Sequence, residues 1–203
     1  DYIVSLGAKP SFKHYQGYPA TICASINEEV VHGIPSKHRI LEEGDIISID
    51  VGACYKGYHG DAARTFPVGK IDAKKKRLIK VTEESFFEGI KNIRAGSYVG
   101  DISHAVQTYV EKNGFSIVRE LTGHGVGSEL HEDPMIPNYG KMGAGAKLVK
   151  NMVVAVEPMV NMGERYVQFL SDGWTCVTRD KLPAAHYENT ILITENGVEI
   201  LTL

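Results

Sequence analysis

Cysteine is scarce in this chain: three residues in 203, Cys23, Cys54 and Cys176, an odd number with no Cys-x-x-Cys spacing. That argues against a disulfide framework and for a reducing compartment, so the expected location is cytoplasmic. Long apolar runs are also missing. The longest, such as Met152 to Val156, are strand-sized, which argues against a transmembrane helix or a secretory leader. Charge of one sign is not in excess: 22 Lys and Arg stand against 25 Asp and Glu, a net charge of −3, so nothing draws the chain to nucleic acid or to a membrane surface. No Pro- or Ser-rich linker or low-complexity tract divides it. What remains, 43% hydrophobic and 23% charged residues, is the composition of a globular chain long enough for a sizeable core. A single domain over residues 1–203 is expected.

The interior shows a faint duplication. His32-Gly33-Ile34-Pro35 precedes a strand running to Asp50, and Leu130-His131-Glu132-Asp133-Pro134 precedes a strand running to Glu157. Both are His-bearing loops followed by a strand that ends in a carboxylate, so residues 1–70 and 71–203 read as pseudo-equivalent halves. Between them the spacing predicts two helices. Asp72 caps the first, with Leu78, Val81, Phe86, Ile90 and Ile93 on one face and Gly96 as its stop. Asp101 caps the second, with Ile102, Ala105, Val106, Tyr109 and Val110 on one face and Gly114 as its stop. Strands are expected over 22–26, 46–52, 58–66, 153–157, 188–194 and 198–203, the last two joined by Glu195-Asn196-Gly197. The class is α+β, an antiparallel-rich sheet with helices on one side.

Asp50 and Asp61 flank a candidate hairpin. If Lys56-Gly57 is its two-residue loop, Asp50 faces Ala63 and Asp61 faces Gly52, so the two carboxylates share a face as diagonal neighbours about 7 Å apart. Alone, such a pair reads as two solvated turn residues. Glu157, at the end of Val153-Val154-Ala155-Val156, and Glu188, at the entrance to Ile191-Leu192-Ile193, are further carboxylates where strands are apolar. His124 lies in Gly123-His124-Gly125-Val126-Gly127, a loop whose glycines would let backbone crowd a ligand or metal. Four carboxylates and one imidazole suit two divalent cations, with charges near balance and an oxygen-rich ligand set. A pair of cations can generate a water nucleophile at neutral pH, which predicts hydrolysis.

These segments also carry a resemblance. His32-Gly33-Ile34-Pro35, Ile49-Asp50-Val51-Gly52, Gly60-Asp61-Ala62-Ala63-Arg64-Thr65-Phe66, Gly123-His124-Gly125-Val126-Gly127, Leu130-His131-Glu132-Asp133-Pro134, Val156-Glu157-Pro158-Met159 and Tyr187-Glu188-Asn189-Thr190 resemble, in order, the signatures of type I methionine aminopeptidases. The resemblance implies the pseudo-symmetric pita-bread fold, with two divalent ions (Co, Mn, Fe or Zn) in the central sheet. By that likeness Asp61 and Glu188 bridge both ions, Asp50 binds one, and His124 with Glu157 bind the other. Glu157 also moves a proton, His131 donates to the oxyanion, and His32 lies by the scissile amide. Phe12, Tyr15, Tyr18, Cys23, His32, Leu130 and Trp174 match the family's methionine pocket.

The implied activity removes the initiator methionine from nascent chains, with the ribosome as the implied place of encounter, when the second residue is small; the implied state is monomeric. A proline-specific peptidase of the same fold and a non-catalytic domain of that fold are the competing readings. Full-length members carry N-terminal helices ahead of Tyr2, so an N-terminally truncated chain is expected. Lys74-Lys75-Lys76-Arg77 reads as a solvated helix face rather than a nucleic-acid patch.

Overall fold

Two runs of alternating character meet at Lys56-Gly57, where both residues take positive φ (52° and 88°), the conformation of a primed hairpin turn whose twist matches the strands it joins. The resulting hairpin organises the molecule, a computed structural model that describes all 203 residues. Its ladder runs in one register from Ile46↔Pro67 to Tyr55↔Tyr58 and pairs Asp50 with Ala63 and Gly52 with Asp61, as the loop position requires.

Nine strands make the main sheet: β1 (Lys9–Pro10), β2 (Cys23–Ile26), β3 (Ile46–Tyr55), β4 (Tyr58–Pro67), β5 (Thr122–Gly125), β6 (Glu132–Pro137), β7 (Val153–Val156), β8 (Glu188–Ile193) and β9 (Val198–Ile200). The spatial order is β1-β3-β4-β8-β7-β5-β6, with β2 also on β3 and β9 also on β8. All of its ladders are antiparallel. Two small antiparallel sheets flank it. One joins Ala184–His186, Met159–Asn161 and Ser116–Ile117; the other joins Val167–Phe169, Cys176–Thr178 and Glu29–Val31.

The helices are a single turn, α1 (Tyr2–Ser5), then α2 (Ala73–Ile90) and α3 (Val99–Lys112). Asp72 caps α2 by accepting from the Lys75 amide at 2.8 Å. Asp101 is not the cap expected of it. The third helix begins three residues earlier than that cap implies, with Tyr98 at its N-cap, and the Asp101 carboxylate reaches back to the Tyr98 amide at 2.7 Å while also holding the Gly143 amide at 2.7 Å. The cationic run at the start of α2 is solvent-facing at Lys74 and Lys76.

The apolar stripes of α2 and α3 (Leu78, Phe86, Ile102, Val106, Val110) pack on Val154, Val156, Ile191 and Ile193 of the central strands in one continuous core. Each such side chain contributes roughly 1.5–3 kcal/mol when fully withdrawn from water. Because strand side chains alternate, the neighbours of these residues, Glu157 beyond Val156 and Glu188 at the start of β8, point away from the helices. The helix-covered side is thus the stabilising side. The opposite side carries the charge.

The segments around His124 and His131 depart from the reading of loops. Thr122–Gly125 is a strand between β7 and β6, and Glu132–Pro137 is the strand that closes that end of the sheet. The glycines beside His124 do not crowd a ligand. A Cβ at Gly123 would collide with the Ala155 carbonyl and one at Gly125 with the Asp133 carbonyl, so they let neighbouring strand backbones close up.

Candidate metal centre

Asp50 from β3, Asp61 from β4, His124 from β5, Glu157 just past β7 and Glu188 from β8 converge on one cavity of about 360 Å³. Its walls include every other residue named for catalysis or the methionine pocket: Phe12, Tyr15, Tyr18, Cys23, His32, Leu130, His131 and Trp174. Gln16, Val31, Leu121, Thr122 and Met159 also line it and went unrecognised, since nothing in their local pattern distinguishes them from packing residues.

The strands are pinned to one another where the carboxylates sit. Thr190 Oγ1 donates to the Asp61 carbonyl and accepts from the Asp61 amide, both at 2.9 Å, locking β4 to β8. The Arg64 guanidinium lies over the Tyr187 ring at 4.2 Å from its centroid and donates to the Asn189 side chain at 2.7 Å. It also donates to the Glu188 backbone carbonyl, so this cation serves the backbone and not the carboxylate.

Asp61 and Glu188 are 4% and 2% exposed, and no lysine or arginine pairs with any of the four carboxylates. Their acidity follows. Burial, reinforced by the neighbouring carboxylates, pushes Asp50 and Glu188 well above the usual range. Burial raises Asp61 and Glu157 to about 7. Asp50 Oδ1, Asp61 Oδ1 and Glu188 Oε1 are buried without a hydrogen-bond partner, an arrangement costly for a protein alone and ordinary around cations.

His124 completes the donor set. Its Nδ1 lies 2.9 Å from the Gly125 carbonyl, an acceptor, so that nitrogen carries the proton and Nε2 turns its lone pair inward, 3.5 Å from Glu157 Oε1. Ligand atoms of Asp61, His124 and Glu188 lie within 4.8 Å of one another, and so do those of Asp50, His186 and Glu188. Oxygen-rich clusters with neutral imidazole suit divalent first-row ions, so the residues present fit a metal centre.

His186 is the polar residue of the centre that the sequence reading missed. The available signal was its spacing: it stands two residues before Glu188, so strand alternation gives both side chains the same direction.

Beside the carboxylates, the His131 ring packs 4.1 Å from His124, centroid to centroid, and its Nδ1 lies 2.7 Å from the Tyr15 hydroxyl. Burial lowers both His131 and His32 to about 4, leaving each neutral at pH 7. His32 occupies a positive-φ turn (60°) and faces Trp174 edge-on, with ring centroids 6.5 Å apart. The apolar end of the cavity is a cluster of Phe12, Tyr18, Cys23 and Leu130, against which Tyr15 and Trp174 pack. Gly52 makes room for it, since a Cβ there would meet the Phe12 ring at 2.5 Å. The Tyr18 hydroxyl donates to the Ile22 and Gly33 carbonyls, both at 3.1 Å, tying the pocket wall to the His32 turn.

Residues 4–195 match the model of metallopeptidase family M24. The chain belongs to that family, among its methionine aminopeptidases. It is 58% identical to a methionine aminopeptidase of Clostridium acetobutylicum, covering all of this chain and 81% of that one. It is 56% identical to methionine aminopeptidase 1 of Bacillus subtilis, covering 99% and 81%. The crystal structure of the Thermotoga maritima methionine aminopeptidase superposes with a TM-score of 0.97 at 54% identity, over 98% of this chain and 80% of that one. A prolidase from Pyrococcus furiosus is more distant, with a TM-score of 0.72 and 26% identity over 90% of this chain and 48% of its own. The fold is therefore the pita-bread architecture of the family.

Proposed function

We propose that the chain is a dinuclear metallo-aminopeptidase that removes an N-terminal methionine when the following residue is small, and that it acts on newly made polypeptides in the cytoplasm. The observation that carries this reading is the convergence of four carboxylates that no lysine or arginine pairs, three of them with a buried oxygen lacking a hydrogen-bond partner, and the inward Nε2 of His124 at one end of an apolar cavity. Relatives at 58% and 56% identity named methionine aminopeptidase support the substrate. No helix of the chain is long and apolar enough to cross a membrane.

In this reading Asp50, Asp61, His124, Glu157 and Glu188 would together hold two divalent ions (Co, Mn, Fe or Zn). When bound, such a pair supplies an activated water and a polarised peptide carbonyl at neutral pH. The two halves, residues 1–70 and 71–203, form one catalytic unit, with Asp50 and Asp61 from the first and His124, Glu157 and Glu188 from the second.

The protein's own groups do the rest. Glu157, at the floor of the cavity between His124 and His186, is the carboxylate placed to accept a proton from the attacking water and pass it on. The Tyr15 hydroxyl accepts from the Gln16 side chain at 3.4 Å and lies 2.7 Å from His131 Nδ1, to which, in this reading, it donates. That leaves the proton of neutral His131 on Nε2, where it serves as donor to the developing oxyanion. His32 lies at the scissile amide. A thioether fits the slot of Phe12, Tyr15, Tyr18, Cys23, Leu130 and Trp174, where aromatic edges and a sulfur favour a soft, unbranched side chain.

The shared fold makes a proline-specific peptidase the competing reading. Side-by-side assay of Met-Ala-Ser and an Xaa-Pro peptide decides between them. Faster release of methionine is expected, and faster cleavage of the Xaa-Pro peptide would overturn the assignment.

A further inference from the structure

We propose that His186 is a positioning residue of the metal centre: its Nε2–H points into the gap between Glu157 and Glu188 and holds the two carboxylates at their spacing. The proposal rests on the metal-centre reading above.

His186 ends the strand Ala184–His186, where it pairs with Met159, two residues beyond Glu157. Its backbone is clamped. The His186 amide donates to Thr65 Oγ1 at 2.9 Å, and the Thr65 hydroxyl donates to the His186 carbonyl, also at 2.9 Å. Because the Thr65 proton is used there, Ser48 is the donor in the 2.8 Å contact between the Ser48 and Thr65 hydroxyls. Three strands thereby fix the point from which the imidazole projects.

The ring is 1% exposed and its Nε2 is buried without a hydrogen-bond partner. Its nearest charged atoms are Glu157 Oε2 at 3.5 Å and Glu188 Oε2 at 3.8 Å, with Asp50, Asp61 and the Arg64 cation around them. Around cations the two carboxylates would be ionised and could only accept, so a lone pair at Nε2 would confront lone pairs, whereas a proton there satisfies them. The two imidazoles bracket Glu157 from opposite oxygens, His124 at Oε1 and His186 at Oε2. Their polarities are complementary. His124, with Nδ1–H committed to a carbonyl, presents a lone pair suited to ligation; His186 presents a proton suited to restraint. A donor between two carboxylates opposes their mutual repulsion and fixes which oxygens face inward.

The test compares the chelated wild-type chain with His186→Gln and His186→Leu. Mn²⁺ binding is followed by calorimetry, kcat and KM on Met-Ala-Ser are measured separately, and the His186 ring nitrogens are observed by ¹⁵N NMR after loading with Zn²⁺. Loss of the donor in His186→Leu is expected to weaken Mn²⁺ binding and lower kcat by about 10- to 100-fold, with KM little changed. His186→Gln keeps an N–H and is expected to recover to within a few-fold of wild type, which separates positioning from mere packing. In the Zn²⁺-loaded protein His186 Nε2 is expected to remain protonated. Wild-type affinity and kcat in a folded His186→Leu variant, or a His186→Gln variant as impaired as Leu, would overturn the proposal. A coordinated, deprotonated Nε2 would also overturn it, making His186 a ligand in the group it forms with Asp50 and Glu188. If the wild-type chain takes up no Mn²⁺ at all, the metal-centre reading itself falls.

Discussion

The two faces of the central sheet are built from the same strands and obey opposite rules. On the helix side, Val154, Val156, Ile191 and Ile193 are completely buried in the apolar cluster they form with α2 and α3. On the other side, at odd-numbered spacings along the same strands, Glu157 and Glu188 join Asp50 and Asp61 in a place where burial opposes their ionisation. Apolar burial needs no specific partner, so the first face is self-sufficient. Buried carboxylates do need one, so the second face is complete only with cations.

The sharpest break of that contrast is to remove one carboxylate of the cluster. Asp61→Asn keeps shape but loses a charge in the middle of the cluster, and it should abolish high-affinity Mn²⁺ binding and turnover together, while circular dichroism stays native. His131→Ala removes a donor and no ligand, so kcat should fall on the order of 10²-fold or more with metal content unchanged. On the helix face, Phe86→Ala should cost about 3–5 kcal/mol of unfolding free energy, read by denaturant melts, and leave metal stoichiometry intact. Equal metal loss in Asp61→Asn and Phe86→Ala would erase the distinction between the faces.

A pH series sharpens the comparison. Asp61 and Glu157, raised to about 7 when folded, hold protons that the unfolded chain releases near the ordinary carboxylate range. The chelated protein therefore loses stability as pH rises toward and through 7. The histidines lowered to about 4, His32, His131 and His186, act in the opposite sense between about 4 and 6.5 and no longer compensate above that. The melting temperature of the chelated chain should fall between pH 6.5 and 8, and cations should remove most of that fall. The smallest effect belongs to Tyr15→Phe. Loss of one neutral hydrogen bond to His131 should lower kcat by roughly 2- to 10-fold.

Much of this was legible along the chain where local chemistry dictates geometry. A two-residue turn at Lys56-Gly57 fixes the β3–β4 register by itself, so the facing of Asp50 and Asp61 followed from counting. The helical stripes of α2 and α3 were equally plain. The strands bearing His124 and following His131 were not. Gly123, Gly125, Pro134 and Pro137 carry little strand preference, and these segments are extended because Ala155 and Asp133 on neighbouring strands accept them closely. The start of α3 was misplaced because Asp101 acts three residues into the cap motif, a position only the folded loop at Gly143 distinguishes. His186 was hidden for a similar reason. Its proximity to Glu157 arises from pairing with Met159, a long-range contact.

The central claim, that the charged face is completed by cations, is tested most directly by titrating the chelated chain with Mn²⁺ while following heat, melting temperature and release of methionine from Met-Ala-Ser. The account predicts uptake of two equivalents, a rise in melting temperature and recovery of turnover from a negligible starting rate. Full methionine release by the exhaustively chelated protein, with no Mn²⁺ uptake, would contradict it.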